Sequence, residues 1–208
     1  MSRSEDGAPP GRAGGVALRS GAMRIAVISD IHSNLPALEA VLDALGDVDA
    51  YWHLGDIVGY GPHPDEVVDR LREIGAVGVL GNHDAAALGG LEVEWFNPEA
   101  RQAIAWTARR ISPRTRAWLE ALPERLELDG MTLVHGRARD PITEYVTSTR
   151  SARASFSAFT TPCLLHGHTH VPAVWREEGT EIELLGPSHG SELLLDDRRV
   201  LLNPGSVG

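Results

Sequence analysis

The chain contains no lysine: all 19 basic residues among its 208 are arginine. That absence excludes Schiff-base chemistry and a phosphate-binding loop of the Walker A kind, each of which needs a lysine amine. Cys163 is the single cysteine and lies inside an apolar run, so no intrachain disulfide or cysteine-based zinc site can form and a packed thiol is expected. No apolar run reaches the roughly 18 to 20 residues needed to span a bilayer, and the amino-terminal residues hold no apolar core of a secretory signal. A cytoplasmic protein with no membrane partner is expected. Positive charge is also in short supply: 29 acidic residues against 19 basic ones give a net charge of −10. This argues against a nucleic-acid-binding surface, but not against a small phosphorylated substrate whose charge is met by bound metal.

What is present suits one well-filled domain, with 42% hydrophobic and 23% charged residues. Residues 1 to 22 hold Ser, Gly, Pro, Arg and Ala without periodicity and end just before Met23, so they are expected to be a disordered tail or a mis-assigned start. The domain is expected to occupy 23 to 208. Its organising stretch is Ala50-Tyr51-Trp52-His53-Leu54-Gly55-Asp56, a short run of large side chains that stops at a glycine and then presents a carboxylate. A buried strand ending in a ligand is the reading this pattern favours. Four other apolar runs end alike: Ile25 to Ser29 before Asp30 and His32, Val77 to Leu80 before Asn82 and His83, Met131 to Val134 before His135, and Cys163 to Leu165 before His168 and His170. In open α/β sheets ligands bind beyond the carboxyl ends of the strands, so one rim can collect all these groups.

Between the first strands, apolar positions at helical spacing predict helices over 35–45, capped by Asn34, and 64–74, closed by Gly75. Strand and helix alternating three times predict parallel pairing in the first third. Asn97-Pro98 and Ser112-Pro113 open two further helices, with Trp106, Ile111, Trp118 and Leu122 as core candidates. The pattern then changes to hairpins. Asp129-Gly130 joins 125–128 to 131–134, 173–176 pairs with 181–185, and 192–195 pairs with 200–202, so the later strands are expected to be antiparallel. Residues 141–161 are the least regular, with a candidate helix at 151–159. The fold class expected is α/β (α+β), a β-sandwich of mixed sheets with helices outside.

Asp30, His32, Asp56, Asn82, His135, His168 and His170 form an oxygen-and-nitrogen ligand set without thiolates, suited to Mn, Fe, Zn, Ni or Co rather than calcium. Seven ligands exceed what one ion needs. Two divalent transition-metal ions sharing a carboxylate use them economically, and such pairs lie roughly 3.5 to 4 Å apart. Such a pair clamps a phosphoryl group and supplies a hydroxide nucleophile at neutral pH, without a covalent side-chain nucleophile.

Asp30-Ile31-His32, Gly55-Asp56, Gly81-Asn82-His83-Asp84, His135-Gly136 and Gly167-His168-Thr169-His170, in that order, resemble the calcineurin-like metallophosphoesterase superfamily. Asn203-Pro204-Gly205-Ser206-Val207-Gly208, with the residues after Asp30 and Asp56, resembles its small prokaryotic phosphoesterase branch, so the likeness covers 23 to 208. The resemblance implies a four-layer αββα sandwich. It also implies one metal on Asp30, His32, Asp56 and His170, the other on Asp56, Asn82, His135 and His168, with Asp56 as the bridge and manganese as the first choice of ion. It further implies His83 as proton donor or phosphate-oxygen contact, with Asp84 orienting it. The activity implied is hydrolysis of a phosphodiester or phosphomonoester. Alternatives are a binding scaffold that has lost turnover, a protein phosphatase or a dinucleoside polyphosphate hydrolase. Relatives continue past the Asn-Pro-Gly-Ser-Val-Gly segment, so a carboxyl-terminal truncation is also expected. His53 and His166 read as structural, and His63 and His189 as loop residues. Arg137 and Arg139 read equally well as phosphate contacts or as a solvated loop.

Overall fold

The computed structural model describes residues 23–208; the expectation for residues 1 to 22 lies outside the described residues. Strands β1 (Ile25–Ile28), β2 (Ala50–His53) and β3 (Val77–Gly78) form a parallel sheet in the order β1-β2-β3. Helices α1 (Leu35–Leu45) and α2 (Pro64–Glu73) make the crossovers. The Asn34 side chain accepts from Ala37 N at 3.2 Å, so the cap read from the sequence is formed. The second sheet runs β4-β5-β6-β9-β7-β8. Its strands are β4 (Arg125–Leu128), β5 (Met131–Val134), β6 (Cys163–Leu165), β7 (Ala173–Glu178), β8 (Glu181–Leu185) and β9 (Val200–Asn203). Helices α3 (Asn82–Leu88), α4 (Pro98–Arg110) and α5 (Pro113–Glu120) lie between the two sheets in sequence, and α6 (Thr149–Phe156) lies within the second.

Side-chain alternation along the strands explains the layering. In the second sheet Leu133, Cys163, Leu165, Val174 and Val200 share one cluster with Trp52, Leu54 and Val79 of the first sheet, filling the space between the sheets. Their immediate neighbours Val134, Leu164, Trp175 and Leu201 point the other way, onto Ala152 and Phe156 of α6. Ile28 of β1 faces Leu38, Leu42, Val67, Val68, Leu71 and Leu119 of α1, α2 and α5. Three apolar interfaces therefore separate four layers, helices, sheet, sheet and helix, as the resemblance implied. Cys163 is buried between the sheets, and burial pushes its thiol up to about 12.

Several expectations are corrected. The sheets are mixed as expected, but the later strands are not all antiparallel, because β5, β6 and β9 pair in parallel. No strand forms over 192–195: β9 already has β6 on one side and β7 on the other, and Leu194 is exposed. The third strand ends at Gly78, since Leu80 N turns away to donate to Pro123 O. Trp106 faces outward, and the candidate helix at 151–159 is α6, three residues shorter at its far end. Helix α3 stands directly after the third strand, where the sequence pattern predicts no helix. No helix of the described residues is long and apolar enough to cross a membrane.

Candidate metal centre

All five ligand-bearing turns lie where strands end. Asp30 and His32 follow β1, Asp56 follows β2, Asn82 and His83 open α3 beyond β3, His135 follows β5, and His168 and His170 follow β6. Among the described residues eight other than glycine have positive φ, and five of them are Asp30, His32, Asp56, His168 and His170. Left-handed backbone costs an L-residue roughly 1 to 3 kcal/mol, and such outliers cluster where side-chain direction matters more than backbone ease. Glycines allow the turns to close on the carboxylates. A Cβ on Gly81 would lie 2.2 Å from Asp56 Oδ1, and one on Gly167 would lie 2.7 Å from Asp30 Oδ2.

The donor atoms converge in two groups that share one residue. Asp30, His32, Asp56 and His170 form one, and Asp56, His135 and His168 the other. Asp56 Oδ2 lies 3.7 Å from His32 Nε2 and 3.3 Å from His135 Nε2, so one oxygen faces both groups. Its Oδ1 is occupied by His83 N at 2.8 Å. His135 Nε2 also lies 2.8 Å from Asn82 Oδ1 and 3.1 Å from His168 Nδ1, which adds Asn82 to the second group. In the first, His170 Nε2 lies 3.1 Å from His32 Nε2 and 3.4 Å from Asp30 Oδ1.

Hydrogen bonds on the far side of each ring decide which nitrogen is free to bind a cation. His135 Nδ1 donates to Leu54 O at 2.8 Å, and His168 Nε2 donates to Thr143 O at 3.1 Å. The remaining nitrogens, His135 Nε2 and His168 Nδ1, then present lone pairs toward each other and toward Asp56 and Asn82. Buried acceptors meeting acceptors at about 3 Å are unfavourable unless a proton or a metal cation lies between them. Burial works against charge on His135, yet Asp56 and Asp30 outweigh it and raise the ring to about 9, the response of a site built for positive charge. His168 goes the other way, lowered to about 4 by burial and by the neighbouring His135. The residues present therefore fit divalent ions bound through oxygen and imidazole.

His83 touches this group without joining it. Its ring is enclosed by Tyr60 at 4.7 Å, His32 at 4.8 Å and Phe96 at 5.1 Å, and burial lowers it to about 4. Nδ1 is buried without a partner, against the space a Cβ on Gly59 would fill, so Nε2 is the nitrogen left to the cavity that His83 lines. Asp84 departs from its expected role. Its carboxylate accepts from Ile57 N and Val58 N at 2.9 Å and from Gly81 N at 3.0 Å, and among the described residues no hydrogen bond joins it to His83. It ties the Asp56 loop to the start of α3, which fixes His83 through the backbone. Burial, with the charge of Asp56 adding to it, raises Asp84 to about 7.

Arg137 pairs with Glu144 and does not line the cavity, nor do Arg139, His63 and His189; His53 and His166 are buried. Sequence reasoning missed two supports. Tyr145 stacks on His168 with centroids 3.7 Å apart and planes 13° apart; a lone tyrosine in an irregular stretch gave no signal. Buried Asn203 donates to Gly167 O at 2.7 Å and Thr169 Oγ1 at 3.0 Å while its Oδ1 accepts from Gly205 N at 2.8 Å, so it braces the Gly-His-Thr-His turn. Ser206 Oγ and Gly208 N both donate to Asp30 O at 2.9 Å. Replacing Asn203 by Ala leaves Gly167 O and Gly205 N short of partners, at about 1 to 3 kcal/mol. For a domain of this size the melting temperature is expected to fall by roughly 2 to 12 °C, with weakened metal affinity where His168 and His170 lose their brace. Calorimetric melts with and without manganese check both. An unchanged melt would show that the brace is not needed.

This arrangement could hold divalent metal. The family model of the calcineurin-like phosphoesterase superfamily domain matches residues 23–208, and the chain belongs to that family. It is 38% identical over 193 residues to a Methanocaldococcus jannaschii protein, uncharacterized protein MJ0912, covering 88% of this chain and 76% of that one. It is 28% identical to the Escherichia coli phosphodiesterase YfcE over 162 residues, 72% of this chain and 71% of that one. A crystal structure of a metallophosphoesterase from Sphaerobacter thermophilus superposes with a TM-score of 0.81 at 45% identity, covering 90% of this chain and 78% of the other.

Proposed function

We propose that the protein is a dinuclear metal-dependent phosphoesterase acting on a small phosphodiester or phosphomonoester. The observation that carries this reading is the single oxygen, Asp56 Oδ2, facing the free ring nitrogens of both His32 and His135. A carboxylate so placed is what two neighbouring ions require as a bridge. When bound, the two ions supply Lewis-acid charge and bring a water to nucleophilic strength near neutral pH. The chain's own part is to orient and exclude. Asn82, His135 and His168 would hold one ion and Asp30, His32 and His170 the other, with Asp56 common to both, while His83 would offer Nε2–H to a phosphoryl oxygen. The resemblance to a protein named as a phosphodiesterase supports a diester among the substrates.

The test is reconstitution with manganese, elemental analysis, and hydrolysis of aryl mono- and diesters of phosphate. Two equivalents of metal per chain and turnover abolished by chelation are expected. A ceiling of one equivalent would remove the dinuclear reading, and two equivalents without turnover on any ester would favour a binding scaffold.

A further inference from the structure

The cavity that opens from the ligand cluster has a volume of about 890 Å³, and beyond the ligands its walls include Tyr60, Trp95, Phe96 and Tyr145. Four aromatic side chains stand out as exposed among the described residues, Tyr60, Trp95, Trp106 and Tyr145, and three of the four line this one cavity. Scattered exposed apolar groups need no explanation, whereas aromatic rings gathered around a single opening mark a binding surface. Phe96, Tyr60 and Tyr145 already pack on His83 or His168. Trp95 packs on no aromatic ring among the described residues. It closes the single 3₁₀ turn Val93–Trp95, where Phe96 N donates to Val93 O at 3.1 Å, and is 86% exposed. The turn thus points one ring inward at the site and leaves the next ring at the cavity mouth.

Charge narrows the ligand further. Among the described residues no arginine lines the cavity, and Glu92 is the only carboxylate there besides Asp56. Beyond the phosphate held at the metals, affinity must come from contact with the rings rather than from ion pairs. A cavity of this size holds a phosphate together with one ring-bearing arm.

We propose that Trp95 is a stacking platform that selects phosphoesters carrying a planar aromatic arm of nucleobase size. This rests on the phosphoesterase reading above. Stacking of a base on an aromatic side chain is worth roughly 1 to 3 kcal/mol, about 5-fold to 150-fold in affinity. Calorimetric titration of the manganese-loaded protein is expected to give the non-hydrolysable phosphonate analogue of adenosine 5′-monophosphate an affinity roughly tenfold or more above that of the corresponding analogue of ribose 5-phosphate. Trp95→Ala is expected to erase that difference, and Trp95→Phe to keep most of it. Because Trp95 buries so little surface, its melting temperature is expected to stay within about 2 °C of the parent's. Equal affinities for the two ligands in the parent protein would overturn the proposal, as would a Trp95→Ala variant that weakens both alike or neither. Titration reads binding without turnover. Absence of metal-dependent hydrolysis would therefore count against the phosphoesterase reading, while the platform stands or falls on the difference between the two ligands.

Discussion

Asp56→Ala is expected to cost both metal equivalents at once and to lower hydrolysis by at least about 10³-fold, since two-metal catalysis places most of its charge stabilisation in the ions. The reasoning is geometric. Every other carboxylate or imidazole of the cluster belongs to one donor group, whereas Asp56 belongs to both. His32→Ala is the contrasting variant and is expected to lose one equivalent. Asp56 also accepts from His83 N, so alanine would leave a buried donor unpaired and could damage the turn for reasons unrelated to metal. Asp56→Asn separates the two effects, keeping an acceptor oxygen while removing the charge. Without metal, Asp56 supports the charge on buried His135 3.3 Å away, so Asp56→Asn is expected to lower the stability of the chelated protein as well, and the metal-dependent gap is the quantity that isolates the bridge. With metal present at about 100 times its dissociation constant, the parent gains about 2.7 kcal/mol for each bound equivalent, which Asp56→Asn does not. Thermal melts with manganese and with chelator measure that gap. A gap unchanged in Asp56→Asn, or two equivalents retained by Asp56→Ala, would defeat the bridging assignment.

The sequence made the ligand turns legible because each strand is a short apolar run that stops abruptly. Burial on both faces of a sandwich strand requires that composition, and the first polar residue after it falls on the rim. Hence Asp30, Asp56, His135 and His168 could be placed before their distances were known. The hairpin at Asp129-Gly130 was legible for a comparable reason, since both residues adopt positive φ, as the tight turn demands. Pairing partners were not legible. That β6 sits between β5 and β9, in parallel with both, depends on contacts 30 or more residues apart, which local patterning does not encode. Leu193 to Leu195 carries strand composition yet stays irregular, because the one strand it could have joined is paired on both sides. The route by which Asp84 acts on His83 was not legible: the first turn of α3 points the two side chains apart, and the Asp84 carboxylate is taken by three backbone N–H groups.

His83→Ala is expected to lower kcat by roughly 10²-fold while both metal equivalents stay bound. His83 meets the cluster through its ring faces and its backbone N–H, and its side chain belongs to neither donor group. Removing the ring therefore spares the ligands. Its surroundings choose between the two roles open to it. Three rings enclose it and burial holds it near 4, so it is neutral at pH 7, and nearby bound cations would push in the same direction. A neutral imidazole gives an N–H hydrogen bond to a phosphoryl oxygen and is a poor proton donor to a leaving group. The losses on alkyl esters and on aryl esters with good leaving groups should accordingly be equal within a few-fold, because a hydrogen bond to the transferring group is made whichever alcohol departs. His83→Gln is expected to recover part of the rate through its amide N–H, a rescue that a packing role alone would not predict. A loss at least tenfold larger for alkyl esters would make His83 the proton donor instead. Unchanged kcat, or loss of one metal equivalent, would return it to packing or to the ligand set.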